Sequence, residues 1–139
     1  MDKKKLNVKT TIQAPVEKVW QAYNEPGHIV NWNFASEDWH CPAAESDLKP
    51  GGKYKARMEA KDGSFGFDFE AVYDEVINHQ KIAYTMPDGR KAVTDFETSG
   101  SSTVISTTFD SEDQNPMEMQ QEGWQAILNN FKKYVETNF

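Results

Sequence analysis

The residues from Asn115 to Phe139 read as one long amphipathic helix, and this helix limits what the rest of the chain can become. Asn115 and Pro116 are typical cap and first-turn residues. Apolar side chains then recur at helical spacing and form one stripe, which consists of Trp124, Ile127, Leu128, Phe131 and Val135. No other predicted helix is long enough to cover a sheet.

Gly123 interrupts this helix near its middle. A glycine inside a helix costs about 1 kcal/mol relative to alanine. Beside Trp124, that cost indicates a close approach of the backbone, either to another element of the fold or to a bound molecule.

The region from Lys53 to Phe109 alternates apolar and polar residues between short turns. Asp62-Gly63 and Asp88-Gly89 are hairpin dipeptides, and Ser99-Gly100-Ser101 marks a third turn. The pattern predicts a meander that forms a curved antiparallel sheet with one apolar face. That face is predicted to carry Tyr54, Met58, Phe67, Phe69, Tyr84, Phe96 and Phe109.

The first half of the chain is less regular. Leu6 to Ala14 alternates as a half-buried strand does, and Pro15 opens a short helix. We expect Pro26-Gly27 to break this helix, and residues 28–33 to form one or two further helical turns. Residues 40–48 then suit another strand.

Together these elements predict an α+β fold in one domain, residues 1–139. A curved antiparallel sheet of about six to seven strands wraps around the long C-terminal helix, with two short helices after the first strand. A helix that lies across a strongly curved sheet need not fill the concavity. The same prediction therefore places a candidate cavity between sheet and helix.

Composition excludes several classes of function. The formal net charge is −7 and the 15 lysines and arginines are scattered, whereas a nucleic-acid interface needs a basic face. No segment is apolar for long enough to span a bilayer or to act as a signal peptide. Cys41 is the only cysteine, which excludes an internal disulfide and fits a reducing compartment. We therefore expect a cytoplasmic protein without nucleic-acid partners or membrane insertion.

Catalytic and metal-binding patterns are also lacking. His40 and Cys41 are adjacent, but neighbours on a strand point to opposite faces and do not normally share a proton. A structural thiol is the favoured role for Cys41, with a redox-sensitive or ligand-facing thiol as the alternative. The histidines match no zinc spacing, and neither a nucleophile elbow nor a phosphate-binding loop is present. We predict no metal, no cofactor and no catalytic residue.

Aromatic residues are the remaining signal. Trp32, Phe34 and Trp39 lie in an aperiodic segment, where they either rim a pocket or plug the core. Buried tyrosines need partners for their hydroxyls, and an inward tyrosine can orient a ligand. The candidate cavity-lining residues are Trp32, Trp39, Tyr54, Met58, Phe67, Phe69, Tyr84, Phe96, Met119, Gly123 and Ile127.

Several short motifs occur in a characteristic order. They are Ala14-Pro15-x-x-x-Val19-Trp20, Trp32, Asp47-Leu48-x-Pro50-Gly51-Gly52-x-Tyr54, the strand from Phe69 to Val76, and Gly123-Trp124-x-x-x-Leu128. Over roughly residues 6 to 137 the chain thereby resembles the helix-grip superfamily of START and birch-pollen-allergen-like domains (SRPBCC). Within it, the sequence is most similar to the branch of the heat-shock-protein-90 ATPase activator homologues.

The resemblance implies a seven-stranded sheet that grips the C-terminal helix around a cavity. Members of the superfamily mostly bind apolar small molecules, and some are cyclases, dehydratases or chaperone activators. The segment from Trp32 to Pro42 has no counterpart in these motifs. The eukaryotic activator also carries a second, N-terminal binding domain that this sequence lacks, so a chaperone partner is a less favoured expectation.

Three functional hypotheses follow. The first is non-covalent binding of an apolar or aromatic small molecule, which requires that the interior is not fully packed. Met58, Phe67, Phe69, Phe96 and Ile127 would bury the ligand, and the tyrosines with Trp39 would orient it. The second is a cyclase or hydrolase acting on a polyketide-like substrate, which needs an inward titratable group such as His40 or a strand acid. The third is a co-chaperone, and a homodimer through the Trp39 segment is a further possible assembly.

Overall fold

The computed structural model describes residues 4–112 and 115–138 and confirms the predicted α+β architecture. Seven strands form one curled sheet, two short helices follow the first strand, and a long helix comes last. The elements are β1 (Lys5–Ile12), α1 (Val16–Asn24), α2 (Pro26–Ile29), β2 (Trp39–Ser46), β3 (Lys53–Ala60), β4 (Gly66–Ile77), β5 (Lys81–Thr85), β6 (Lys91–Ser99), β7 (Ser102–Asp110) and α3 (Met117–Asn138). The predicted helix end at Phe139 lies outside the described residues.

The strands lie in the order β1-β7-β6-β5-β4-β3-β2, with all neighbours antiparallel. From β2 to β7 each strand pairs with the next one along the chain, as predicted for a meander. The segment with α1 and α2 carries the chain from β1 at one edge to β2 at the other.

Both predicted hairpin dipeptides have the backbone that their glycines allow. Gly63 has a φ of 77° and Gly89 a φ of 92°, in the left-handed region that other residues rarely adopt. In both turns the preceding aspartate accepts a backbone hydrogen bond. Asp62 Oδ1 accepts from the Ser64 amide at 2.8 Å, and Asp88 Oδ1 accepts from the Arg90 amide at 3.0 Å.

The main core lies between α3 and the inner face of the sheet. Phe131 and Val135 are completely buried, whereas Trp124 and Ile127, earlier on the same stripe, are only partly buried. The Trp124 ring stacks on Phe109 of β7 with centroids 4.0 Å apart. The apolar stripe is therefore tightly packed at its C-terminal end and incompletely covered near its middle.

Helix α3 is also tied to the edge strand β1 by hydrogen bonds from its side chains to the strand's outward backbone groups. The contacts join Gln121 to Asn7, Gln125 to Lys9, Lys132 to Thr11, and Glu136 to Gln13. They use alternate residues of β1 and then Gln13 just after it, on a side where β1 has no neighbouring strand. The helix thus satisfies and covers an edge that would otherwise be free to pair with another chain.

The predicted break at Pro26-Gly27 is confirmed, since α1 ends at Asn24 and Glu25 has an extended backbone with φ −78° and ψ 127°. The second helix begins at Pro26 and not at residue 28, because proline lacks the amide hydrogen that a first-turn residue leaves unused. One other local expectation needs correction. Phe67, predicted on the covered face, is 43% exposed. Helix α3 packs chiefly against β1, at the far side of the sheet, so the β3–β4 end of the apolar face is less covered.

Candidate functional site

A cavity of about 220 Å³ lies between α3 and the inner face of the sheet. Residues from the sheet, from α1 and from the segment after α2 complete its wall. The lining residues are Val8, Tyr23, Asn24, Trp32, Asn33, Tyr54, Met58, Phe67, Phe69, Tyr73, Ile82, Tyr84, Thr107, Trp124, Ile127 and Leu128. The interior is therefore not fully packed.

Most of the residues expected from the sequence meet at this cavity. Those that line it are Trp32, Tyr54, Met58, Phe67, Phe69, Tyr84 and Ile127. Trp32 combines both roles that were left open for it. It is 4% exposed, its ring lies 4.7 Å from Phe131, and its indole Nε1–H donates to the Ala22 carbonyl at 2.9 Å, yet it also forms part of the wall.

Four expected residues are not among the lining residues: Trp39, Phe96, Met119 and Gly123. Phe96 is buried elsewhere in the core, with its ring 5.0 Å from that of Trp20. Trp39 packs at the β3–β4 end of the sheet, against the buried cluster of Cys41, Ala56 and Met58 and near the rings of Phe65 and Phe67. Met119 is 58% exposed at the start of α3.

Several lining residues were not predicted. Tyr23, Trp124 and Leu128 belong to helical stripes that the sequence displays, and Tyr73 belongs to an alternating strand, so a signal was available for these. Asn24 and Asn33 carried no such signal. Their amides lie in the wall because α1 and the segment after α2 turn toward the sheet.

Four tyrosines face the cavity, and three of their hydroxyls have protein partners. The Tyr23 hydroxyl lies 3.4 Å from Thr94 Oγ1, and the Tyr73 hydroxyl lies 2.8 Å from Ser46 Oγ. The Tyr54 hydroxyl accepts a hydrogen bond from Asn33 Nδ2 at 3.1 Å. The fourth tyrosine is Tyr84, whose ring is parallel to that of Tyr54 with centroids 6.3 Å apart.

The cavity wall carries no charge near neutral pH. Burial raises the pKa of Tyr54 and Tyr84 well above the ordinary value, and raises the pKa of Tyr73 to about 12. The phenols are therefore protonated. None of the lining residues is a carboxylate, histidine, lysine, arginine or cysteine. Such a wall can bury an apolar molecule and offer it hydroxyl and amide groups.

Comparison with known families agrees with this fold. The family model described as Activator of Hsp90 ATPase homolog 1-like protein matches residues 13–136. The chain belongs to this family. The resemblance drawn from the sequence motifs is thus confirmed. No curated protein matches the chain significantly.

Solved structures of similar proteins share the whole fold of this family member. The AHSA1-like protein from Aeromonas hydrophila is 40% identical with a TM-score of 0.91, over 96% of this chain and 93% of that chain. A protein from Cytophaga hutchinsonii is 52% identical with a TM-score of 0.83, over the same shares of both chains. A protein from Nitrosomonas europaea, 20% identical with a TM-score of 0.84, covers 97% of this chain and 96% of its own, and shows the fold alone.

In this Hsp90-activator-like chain, His40 and Cys41 point to opposite faces of β2, as expected. Cys41 is 2% exposed, and burial raises the pKa of its thiol. Its Sγ lies 3.4 Å from the Ala43 carbonyl oxygen. His40 is partly exposed, with Nε2 3.8 Å from Glu59 Oε1. The two groups therefore form no nucleophile–base pair.

Residues 4–112 and 115–138 contain no cluster of three or more histidine, cysteine or acidic side chains that could hold a metal ion. None of the helices described for this family member is both long and apolar enough to cross a membrane.

Gly123 does not make room for another element of the fold, which was one of the two expected reasons for a glycine here. A Cβ added at this position would have no described protein atom within 4 Å, so no other element of the fold approaches closely here. The remaining alternative, a bound molecule beside Gly123, stays a prediction.

Replacing Gly123 with alanine is therefore expected to stabilise the protein by about 0.5 to 1 kcal/mol, because the helix gains propensity without a clash. Urea denaturation of the variant and the wild type measures this difference. A loss of stability would show that the backbone at Gly123 is constrained by something other than the described residues.

Proposed function

We propose that this protein binds an apolar or aromatic small molecule, without covalent chemistry, in the cavity between the sheet and α3. The observation that carries the proposal is the cavity itself, about 220 Å³ of space walled by aromatic and aliphatic side chains in the middle of the core. Space of this size between apolar walls lacks the packing contacts that usually fill a protein interior, and an apolar ligand would supply them.

The volume limits the size of the ligand. Cavities of roughly 150 Å³ with apolar walls take up benzene, and sites for drug-sized ligands begin at roughly 300 Å³. A cavity of about 220 Å³ therefore suits a molecule of about nine or ten non-hydrogen atoms. At about 0.5 to 0.8 kcal/mol per non-hydrogen atom, a ligand of nine or ten atoms would have a Kd between roughly 1 µM and 0.5 mM.

Indane, a bicyclic hydrocarbon of this size, is a suitable probe. We expect it to bind the wild type and to shift the NMR signals of cavity residues. Replacing Ile127 with tryptophan fills part of the cavity and is expected to weaken indane binding at least about tenfold, since about 55 Å² of lost apolar burial suffices. The Kd from the NMR titration of each protein is the measurement.

Ala126→Trp is the matched control, because Ala126 lies next to Ile127 on α3 but borders surface grooves outside the cavity. This variant is expected to bind indane as the wild type does. The proposal is wrong if indane fails to bind the wild type, or if both tryptophan variants bind it equally well. Native mass spectrometry of the protein from its own source, compared with a denatured sample, would then show whether a natural ligand is bound.

The other two hypotheses have less support. A cyclase or hydrolase needs a titratable group in the cavity, and the lining residues include none that ionises near neutral pH. A co-chaperone role rests on the description of the family, since no described surface identifies a chaperone partner. An ATPase assay with the purified chaperone tests that role, and stimulation of turnover would support it.

A further inference from the structure

The hydroxyl of Tyr84 differs from the other hydroxyls of the cavity. The side chain is 9% exposed and lines the cavity, and its hydroxyl has no hydrogen-bond partner among the described residues. Yet every fully buried side-chain nitrogen or oxygen of the described chain does have a partner. The Tyr84 hydroxyl must therefore keep contact with open space, and the space that this side chain lines is the cavity.

The neighbouring hydroxyls each have a protein partner. The Tyr23 hydroxyl is next to Thr94, that of Tyr73 is next to Ser46, and that of Tyr54 accepts from Asn33. Among the described residues, Tyr84 is thus the one tyrosine of the wall whose hydroxyl neither donates nor accepts, and a ligand in the cavity can supply its partner. In the free protein this hydroxyl is open to water, which a ligand of the proposed size would displace.

The chemistry of a phenol decides which kind of ligand group fits. When a ligand displaces water, a hydroxyl proton left without an acceptor costs the free energy of its desolvation. A ligand with a carbonyl or ether oxygen accepts this proton, whereas a pure hydrocarbon leaves it unpaired. An acceptor on the ligand is therefore favoured over none.

The charges around the cavity decide whether the ligand is neutral or anionic. The lining residues include no lysine, arginine or histidine that could neutralise an anionic ligand. The charge of Arg90 acts to lower the pKa of Tyr84, against the larger effect of burial. This cation is already paired, since its Nε lies 2.7 Å from Asp88 Oδ2. A buried carboxylate without a paired cation is strongly disfavoured.

We propose that the cavity selects a neutral ligand that carries a hydrogen-bond acceptor, and that the Tyr84 hydroxyl donates to this acceptor. This inference rests on the proposed binding function and specifies its ligand class. Tyr84 is then a specificity-determining residue, while the apolar wall supplies most of the affinity.

The test is a double comparison with indane and 1-indanone, which share a ring system and differ by one carbonyl oxygen. Each is titrated into the wild type and into Tyr84→Phe, and the ratio of the two dissociation constants is compared between proteins. Loss of one neutral hydrogen bond raises a dissociation constant about three- to tenfold. We expect Tyr84→Phe to weaken 1-indanone relative to indane by this factor, with indane itself unchanged or slightly tighter.

Tyr134→Phe is the matched control, because Tyr134 is not a lining residue and its hydroxyl lies 2.6 Å from His28 Nδ1. Its ratio should equal that of the wild type. 1-Indanecarboxylate serves as the anionic probe and is expected to bind at least tenfold more weakly than 1-indanone.

The outcomes separate the two proposals. If neither indane nor 1-indanone binds the wild type, the proposed function itself fails. If both bind but Tyr84→Phe leaves their ratio unchanged, or if the carboxylate binds as tightly as the ketone, the cavity binds ligands and the inference about Tyr84 and neutral acceptors is overturned.

Discussion

Replacing Phe131 with alanine is expected to lower the free energy of unfolding by about 3 to 5 kcal/mol. The Phe131 side chain is completely buried, and its ring lies 5.3 Å from Tyr23 and 4.7 Å from Trp32. The substitution removes these ring contacts. It also leaves a void beside an existing cavity, so relaxation of the surroundings can recover little of the loss.

Urea denaturation of the wild type and the variant measures the difference. Lys133→Ala is a suitable control, since Lys133 is exposed on the same helix and its removal should change stability by less than about 0.5 kcal/mol. A loss below about 1 kcal/mol for Phe131→Ala would mean that α3 and the sheet collapse together over the missing ring. The cavity would then not be held open by a rigid frame.

The folded protein is expected to lose several kcal/mol of stability between pH 10 and pH 12. Burial raises the pKa of Tyr23, Tyr54, Tyr73 and Tyr84 in the folded state above the ordinary value of about 10 that applies to the unfolded chain. The folded state therefore holds these protons more tightly. The resulting stability is fully present below pH 10 and is lost as the pH rises through the folded-state pKa values.

The size of this effect follows from the shifts. Each buried tyrosine contributes a slope of up to about 1.4 kcal/mol per pH unit above pH 10. For Tyr73, whose pKa is raised to about 12, the loss reaches about 2 to 3 kcal/mol by pH 12. The other three tyrosines add to it, and the total is comparable with the whole stability of many domains.

Urea denaturation at a series of pH values, together with tyrosinate absorbance, measures this decline. Lysines also titrate in this range, so the variants Tyr54→Phe and Tyr84→Phe serve to isolate the phenols, and each should reduce the slope. Tyrosinate formation at the ordinary pKa in a protein that stays folded would show that these hydroxyls are open to solvent.

The fold could be predicted from the sequence because its signals are local. Alternation from Lys53 to Phe109 shows in every strand of the meander, and the apolar stripe of α3 depends only on helical spacing. The inward positions of Tyr54, Met58 and Tyr84 follow from the same alternation. These are properties of each segment on its own, and the folded chain retains them.

The limits of the cavity could not be predicted in this way, because they depend on the distance between elements. Phe96 and Phe69 both lie on alternating strands, but only Phe69 is placed where α3 stands away from the sheet. Met119 is apolar, as most lining residues are, but it lies on an exposed turn of α3. The pairing of Asn33 with Tyr54 likewise joins segments 21 residues apart that no local pattern connects.

The hydrogen bonds between α3 and β1 have a mechanical consequence. They run along one side of the helix, from Gln121 to Glu136, and fix that side to the edge of the sheet. Beyond the opposite side of α3 lies Phe67 of β4, which borders the cavity and is 43% exposed. Access for a molecule from solvent is therefore expected at the β3–β4 end and not along β1.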